Sequence, residues 1–355
     1  MAALTGKTIN STYKDFLQIS NSNAGVDTTA RAISDGEGTA TILYLSSLEV
    51  YSPGRAGSDN TIFGKGAGNG LASGCNFNTV YGGDAGNDLS DGALRNTAIG
   101  YGALDLATSA DDVTAIGANA MGAGVSTAAT SGTTVIGSAS LQNLTSGVGN
   151  TAIGSSALNG LTTGDRNIAI GYEALLYGTT ETDDNIAIGF NCMSANFSTA
   201  AVNDCIAIGT SALLGTLTAD ASGAVAVGYK SLTANTSGEK NVAVGYQAGN
   251  TLTTGGENTV VGYDSDTDDN SATNQTVIGS EVTGVADNSV TLGNSSVTAV
   301  YMAQDSGATV HCTSVTVKET TTPSALADHG KIYTKNDNKL YFQDGAGTEH
   351  EISFE

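Results

Sequence analysis

The chain has 355 residues, with 47 glycines, two prolines, no tryptophan, and 13 basic against 35 acidic residues for a formal charge of −22. Such an acidic surface repels nucleic acid and anionic membrane, so neither is an expected partner. No apolar stretch follows a basic start in the first thirty residues and no segment approaches 18 apolar residues, so neither a signal peptide nor membrane insertion is expected.

Three regions differ in texture: residues 1–58, 59–300 and 301–355. The first is read as an N-terminal attachment or capping segment. In it Ser11-Thr12-Tyr13-Lys14-Asp15 suits the start of a short helix, and Thr39 to Leu45 is rich enough in β-branched and apolar residues for a strand.

In residues 59–300 a phrase of the form Asn-Thr-Ala-Ile-Gly-Tyr returns fourteen times, its glycine at 64, 82, 100, 117, 137, 154, 171, 189, 209, 228, 245, 262, 279 and 293. Successive glycines lie 14 to 20 residues apart, most often 17, too short for a helical hairpin and suited to one turn of a β-solenoid. Fourteen rungs at about 4.8 Å give a rod about 65 Å long. The expected fold is all-β, a parallel solenoid.

The structural repeat core is assigned to the last strand residue and its glycine: Ile99-Gly100, Ile116-Gly117, Ile136-Gly137, Ile153-Gly154, Ile170-Gly171, Ile188-Gly189, Ile208-Gly209, Val227-Gly228, Val244-Gly245 and Val261-Gly262. The triplet before each glycine, such as Ile168-Ala169-Ile170, has no polar alternation, so both strand faces need cover. One face fills the lumen. With about 17 residues per turn the chain lacks material for the other, and a self-association interface is expected there, with a parallel trimer as the reading.

After the glycine, segments such as Tyr172-Glu173-Ala174-Leu175 turn a corner and bury the leucine. Tyr229, Tyr246 and Tyr263 are expected to stack as an aromatic ladder, with Phe190 substituting earlier; a sugar-binding strip is the alternative. Asn78, Asn96, Asn150, Asn167, Asn185, Asn241 and Asn258 stand just before the strand, where amides cap turns and hydrogen-bond along the stack. Longer intervals, 117 to 137 and 189 through 209 to 228, place extra loop residues on a rim suited to binding. Thr97, Thr114, Thr134 and Thr151 begin an outward threonine row of the kind an ice-binding face needs, but Ile168, Ile186 and Ile206 interrupt it.

Asp264, Asp266 and Asp268 stand two apart, a spacing that admits a calcium loop. Asp269 occupies the place of the loop glycine and Gln275 that of the bidentate acid, so a solvated rim loop is expected, and no metal or cofactor. His311, His329 and His350 are isolated, and His350 is expected to be a surface histidine; three copies of it, flanked by Glu349 and Glu351, meeting a metal on a trimer axis are the alternative. Cys75, Cys192, Cys205 and Cys312 lack metal spacing and read as packed thiols. No nucleophile elbow, metalloprotease helix or phosphate loop is present and no acid pair stands out, so no catalytic residue and no enzymatic activity are expected.

In residues 301–355, Lys331 to Thr334 and Lys339 to Gln343 alternate as hairpin strands around residues 336–338, with Asp344-Gly345 a second turn. This region is read as a C-terminal β cap and trimerisation module.

The repeat phrase resembles the Asn-Ser-Val-Ala-Ile-Gly repeat in the heads of trimeric autotransporter adhesins, and equally the Asn-Thr-Ala-Ile-Gly-Tyr-x-Ala-Leu repeats of bacteriophage tail fibres. The opening Leu4-Thr5-Gly6-Lys7-Thr8-Ile9 is similar to the start of fibre-like phage proteins, and Lys339-Leu340-Tyr341-Phe342-Gln343-Asp344-Gly345 to a terminal module of viral structural proteins. The resemblance implies a left-handed β-roll assembled as a homotrimer. It implies a virion appendage that binds other tail, baseplate or fibre proteins and a host cell-surface receptor, glycan included. The adhesin alternative places the same roll at a cell surface or outside the cell, as an adhesin or filament subunit. A polysaccharide-degrading tailspike is the third class.

Overall fold

A computed structural model describes residues 59–300 and 331–353 except 91, 124–129, 179–180, 196, 198–200, 219–220, 336 and 338. Before residue 59 it describes only the backbone of four strands. The chain divides into two compact units, Met1–Thr298 and Ala299–Glu355.

In the first unit, β1 (Gln18–Ile19), β2 (Arg31–Ser34), β3 (Ala40–Leu45) and β4 (Val50–Tyr51) form an antiparallel sheet in chain order. The strand expected over residues 39–45 is therefore β3; the helix expected at residues 11–15 lies outside the described residues. Two short strands, β8 (Ala110–Asp111) and β10 (Thr130–Ser131), pair in parallel beside longer loops.

The rest of this unit is one sheet of fourteen three-residue strands. They are β5 (Thr61–Phe63), β6 (Thr79–Tyr81), β7 (Thr97–Ile99), β9 (Thr114–Ile116), β11 (Thr134–Ile136), β12 (Thr151–Ile153) and β13 (Ile168–Ile170). They continue as β14 (Ile186–Ile188), β15 (Ile206–Ile208), β16 (Val225–Val227), β17 (Val242–Val244), β18 (Thr259–Val261), β19 (Thr276–Ile278) and β20 (Val290–Leu292). Each pairs in parallel with the next, first residue on first residue, as in Ile168↔Ile186 and Ile170↔Ile188. Fourteen strands enclose thirteen turns of a parallel β-solenoid, and the described residues contain no helix long and apolar enough to cross a membrane.

Side-chain size decides which way the triplet faces. Alternate residues point to opposite sides of a strand, and the small middle residue enters the narrow lumen. Ala98, Ala115, Ala152, Ala169, Ala187, Ala207, Ala226 and Ala243 are fully buried there, and Val80, Val135, Val260 and Val277 take the same place in other rungs. Corner leucines such as Leu104, Leu158, Leu175, Leu213 and Leu232 close the lumen from the other side.

The glycine column holds the rungs at strand spacing. Gly171 has φ of +137°, and a Cβ added there would overlap the carbonyl of Gly189 in the next rung. Its N–H donates to the Ile153 carbonyl of the rung before, at 2.8 Å. The corner that follows is also laddered: Glu173 N–H donates to Ser155 O and Leu175 N–H to Cys192 O, at 3.0 and 2.9 Å. Both residues adopt left-handed backbone, φ 52° and 50°, as the equivalent corner residues do along the coil.

Inside the coil the asparagines form the expected ladder. Asn167 Oδ1 accepts from Asn185 N–H at 3.1 Å, and Asn167 Nδ2 donates to Asn150 Oδ1 and to the Thr182 carbonyl. Asn60, Asn78 and Asn96 repeat the pattern, as do Asn241, Asn258 and Gln275. All are buried, so each bond replaces water that the backbone has lost.

The second unit contains a three-stranded antiparallel sheet, β21 (Lys331–Thr334), β22 (Leu340–Gln343) and β23 (Glu349–Ile352). The first two are the expected hairpin strands, and Asp344 accepts from the N–H groups of Ala346 and Thr348 to make the turn into the third.

Candidate interaction surface

Flanking the buried middle residue, the first and third residues of every triplet point outward. Two parallel columns result on one face of the sheet. The third-position column reads Phe63, Tyr81, Ile99, Ile116, Ile136, Ile153, Ile170, Ile188, Ile208, Val227, Val244, Val261, Ile278 and Leu292. The isoleucines and valines assigned to the repeat core thus lie on the outer face, and Ile208, Val244 and Ile278 expose 38, 38 and 42 % of their surface. Their glycines form the column described above.

The first-position column is threonine in β5, β6, β7, β9, β11 and β12, isoleucine in β13, β14 and β15, valine in β16 and β17, then threonine in β18 and β19 and Val290 in β20. Neither column holds a charged residue across the fourteen rungs, in a chain that carries 48 (13 basic and 35 acidic). Charges sit on both flanks. On the entry corner Arg95 bonds Asp112 across a rung at 2.5 Å, Arg166 bonds Asp184 at 2.7 Å, and Lys240 lies 4.0 Å from Glu257. The carboxyls of Asp112 and Asp184 are held below the usual range, first by these hydrogen bonds and then by the guanidinium charge. On the exit corner stand Glu173, Lys230, Asp264 and Glu281. An uncharged strip with a charged margin has the anatomy of a protein interface.

Beside the strip the tyrosines stack as expected. Tyr229, Tyr246 and Tyr263 have ring centroids 5.1 Å apart with planes within 18°, and Tyr172 and Phe190 stack at 5.4 Å. The faces of the Tyr246 ring are covered by its neighbours, so what it offers outside is an edge rather than a platform for a sugar ring.

The aspartates expected as the weak calcium alternative do not converge. Asp264 is exposed on the exit corner. Asp266 accepts from Thr251 N–H and Thr267 N–H, both at 2.9 Å, and Asp268 accepts from Gln275 Nε2. Burial foremost, then the neighbouring Asp264, raises the Asp266 carboxyl above the usual range against these hydrogen bonds. No group of three His, Cys, Asp or Glu side chains placed to hold a metal occurs among the described residues. His350 stacks on Phe342 with Nε2 3.6 Å from Asp344 Oδ2; His311 and His329 lie outside the described residues.

Cys75, Cys192 and Cys205 are buried and free. Burial pushes the Cys192 and Cys205 thiols up to about 12 and about 11, and both donate to backbone carbonyls, so they are packing groups rather than nucleophiles. Cys312 lies outside the described residues.

The sequence reading missed the direction of the apolar strip and the repeated left-handed corners. The alternation of small and bulky residues within each triplet was the available signal for the first. No protein-family model, no curated protein and no solved structure matches the chain.

Proposed function

We propose that the chain is a structural fibre protein of a virion, a tail fibre or related appendage, that mediates attachment to a host surface. Three copies associate as left-handed rolls in parallel. The N-terminal segment docks on other tail, baseplate or fibre proteins, the C-terminal sheet serves as cap and trimerisation module, and the rod carries the contact to a receptor.

The observation that supports this reading most is the uncharged outer strip running the length of a regular stack of rungs. A stack whose rungs touch only their neighbours suits spacing and display, and an uncharged strip of that length, with one column of apolar and aromatic residues, calls for a partner. The resemblance of the repeat phrase to phage fibre repeats supplies the virion. The same roll in a surface or secreted adhesin, or a filament subunit, is the second reading, favoured by the likeness to adhesin heads.

Immunogold labelling of purified particles and of cells from the source culture, with antibody against residues 59–300, tests the proposal. Gold on tail appendages is expected. Gold on cell surfaces with bare particles overturns it in favour of the adhesin.

A further inference from the structure

We infer that the outer strip is where copies of this chain pack against one another, and that the five consecutive strands β13–β17 form the zone that holds them parallel and in register. The inference rests on the proposed parallel self-association and adds to it the surface and the zone that sets the register.

Within β13–β17 both outward columns are isoleucine or valine, from Ile168 and Ile170 at one end to Val242 and Val244 at the other. On either side the first column reverts to threonine, at Thr151 and Thr259. The strip is about 60 Å long and roughly 10 Å wide, or ~600 Å² per chain. Two copies burying it remove ~1,200 Å² from water, at the lower bound of specific interfaces.

A second copy is the partner this surface fits. It offers a strip of the same length, rung spacing and residue sequence, so the outward side chains of the two copies interleave rung by rung along the stack. Alignment follows from position. The apolar zone occupies the seventh to eleventh of fourteen strands, off centre. Parallel copies in register match every strand and put the zone against itself. Antiparallel copies that match the zone leave the first three strands of each without a counterpart, and a slip of one rung sets isoleucine or valine against threonine at both ends.

Two experiments on the full chain test this. Ile188→Asp with Ile208→Asp changes only outward positions, and burying a carboxylate at each contact is expected to raise the concentration for half-association more than ~100-fold in light scattering. Far-UV circular dichroism on the same samples must match the parent chain. An associated parent whose doubly substituted form is folded and equally associated overturns the surface assignment while leaving a trimer through other contacts intact; a parent monomeric at every concentration overturns both. Independently, Ile99→Cys treated with a short bismaleimide is expected to give covalent oligomers beyond those of the parent. The same linkage absent at Ile99→Cys but present at Ile208→Cys overturns the parallel alignment, because antiparallel copies bring β15 against itself and leave β7 without a counterpart.

Discussion

At the scale of single residues, the buried asparagines show most directly how sequence becomes structure. One primary amide supplies the acceptor for the backbone N–H of the next rung and the donors for a turn carbonyl and for the previous amide, which hydrocarbon cannot do. Asn167→Ala is therefore expected to cost about 3 kcal/mol in urea unfolding, since Asn185 N–H and Thr182 O are left buried without it. Within the stack the ladder breaks where Val113, Thr133, Cys205 and Ala224 replace asparagine, and the last three of these follow the longer loops. Asp266 is the opposite kind of residue, an acid whose burial disfavours its charge. Because its folded pKa lies above the unfolded value, the folded state holds a proton that the unfolded state has released over the window between them. Its contribution to stability consequently falls as pH rises through that window. Asp266→Asn should flatten this part of the profile, measured as the change in unfolding midpoint from the carboxylate range to neutral pH relative to the parent; an unchanged slope refutes the assignment.

At the scale of the rung, glycine does two jobs at one position: it takes a backbone angle that other residues resist, and it leaves room for the carbonyl above. Gly171→Ala meets both obstacles and is expected to cost ~3 kcal/mol or more, lowering or splitting the urea transition. Gly132→Ala is the control, with φ of 62° and nothing within 4 Å of the added Cβ, and should cost about 1 kcal/mol. The period, the parallel pairing and the asparagine and tyrosine ladders were legible because each depends on a column dominated by one residue type, and the terminal hairpin because its strands alternate around a turn. The corners were not. Leu104, Leu158, Leu175, Leu213 and Leu232 sit at φ between 48° and 56°, where leucine is uncommon, and burial in the lumen together with the hydrogen bonds of adjacent rungs holds them there. Likewise the apolar triplets announced two covered faces, but which residues look outward followed only once alanine was seen to be the size the lumen admits. The loop at 264–268, expected as a solvated rim, alternates exposed Asp264 and Asp268 with buried Ser265 and Thr267, because rung geometry sets where those side chains go.

At the scale of the whole molecule, the proposed association has to overcome charge. Each copy carries a formal −22, and the ion pairs on the strip's margin are made within a chain, so they offer a neighbour little attraction. Added salt should therefore strengthen self-association, by screening repulsion between copies while leaving apolar contact intact. Sedimentation at rising ionic strength checks this, and dissociation on adding salt would point to an interface built from charge pairs instead. The in-register stack has one more consequence, for how such a gene can change. Every column is restored after a full turn, so duplicating or deleting one whole repeat in the coding sequence leaves the glycine track, the amide ladder and the outer strip continuous across the join. Length is then adjustable in increments of about 4.8 Å, one rung at a time, while the segments at the two ends stay as they were.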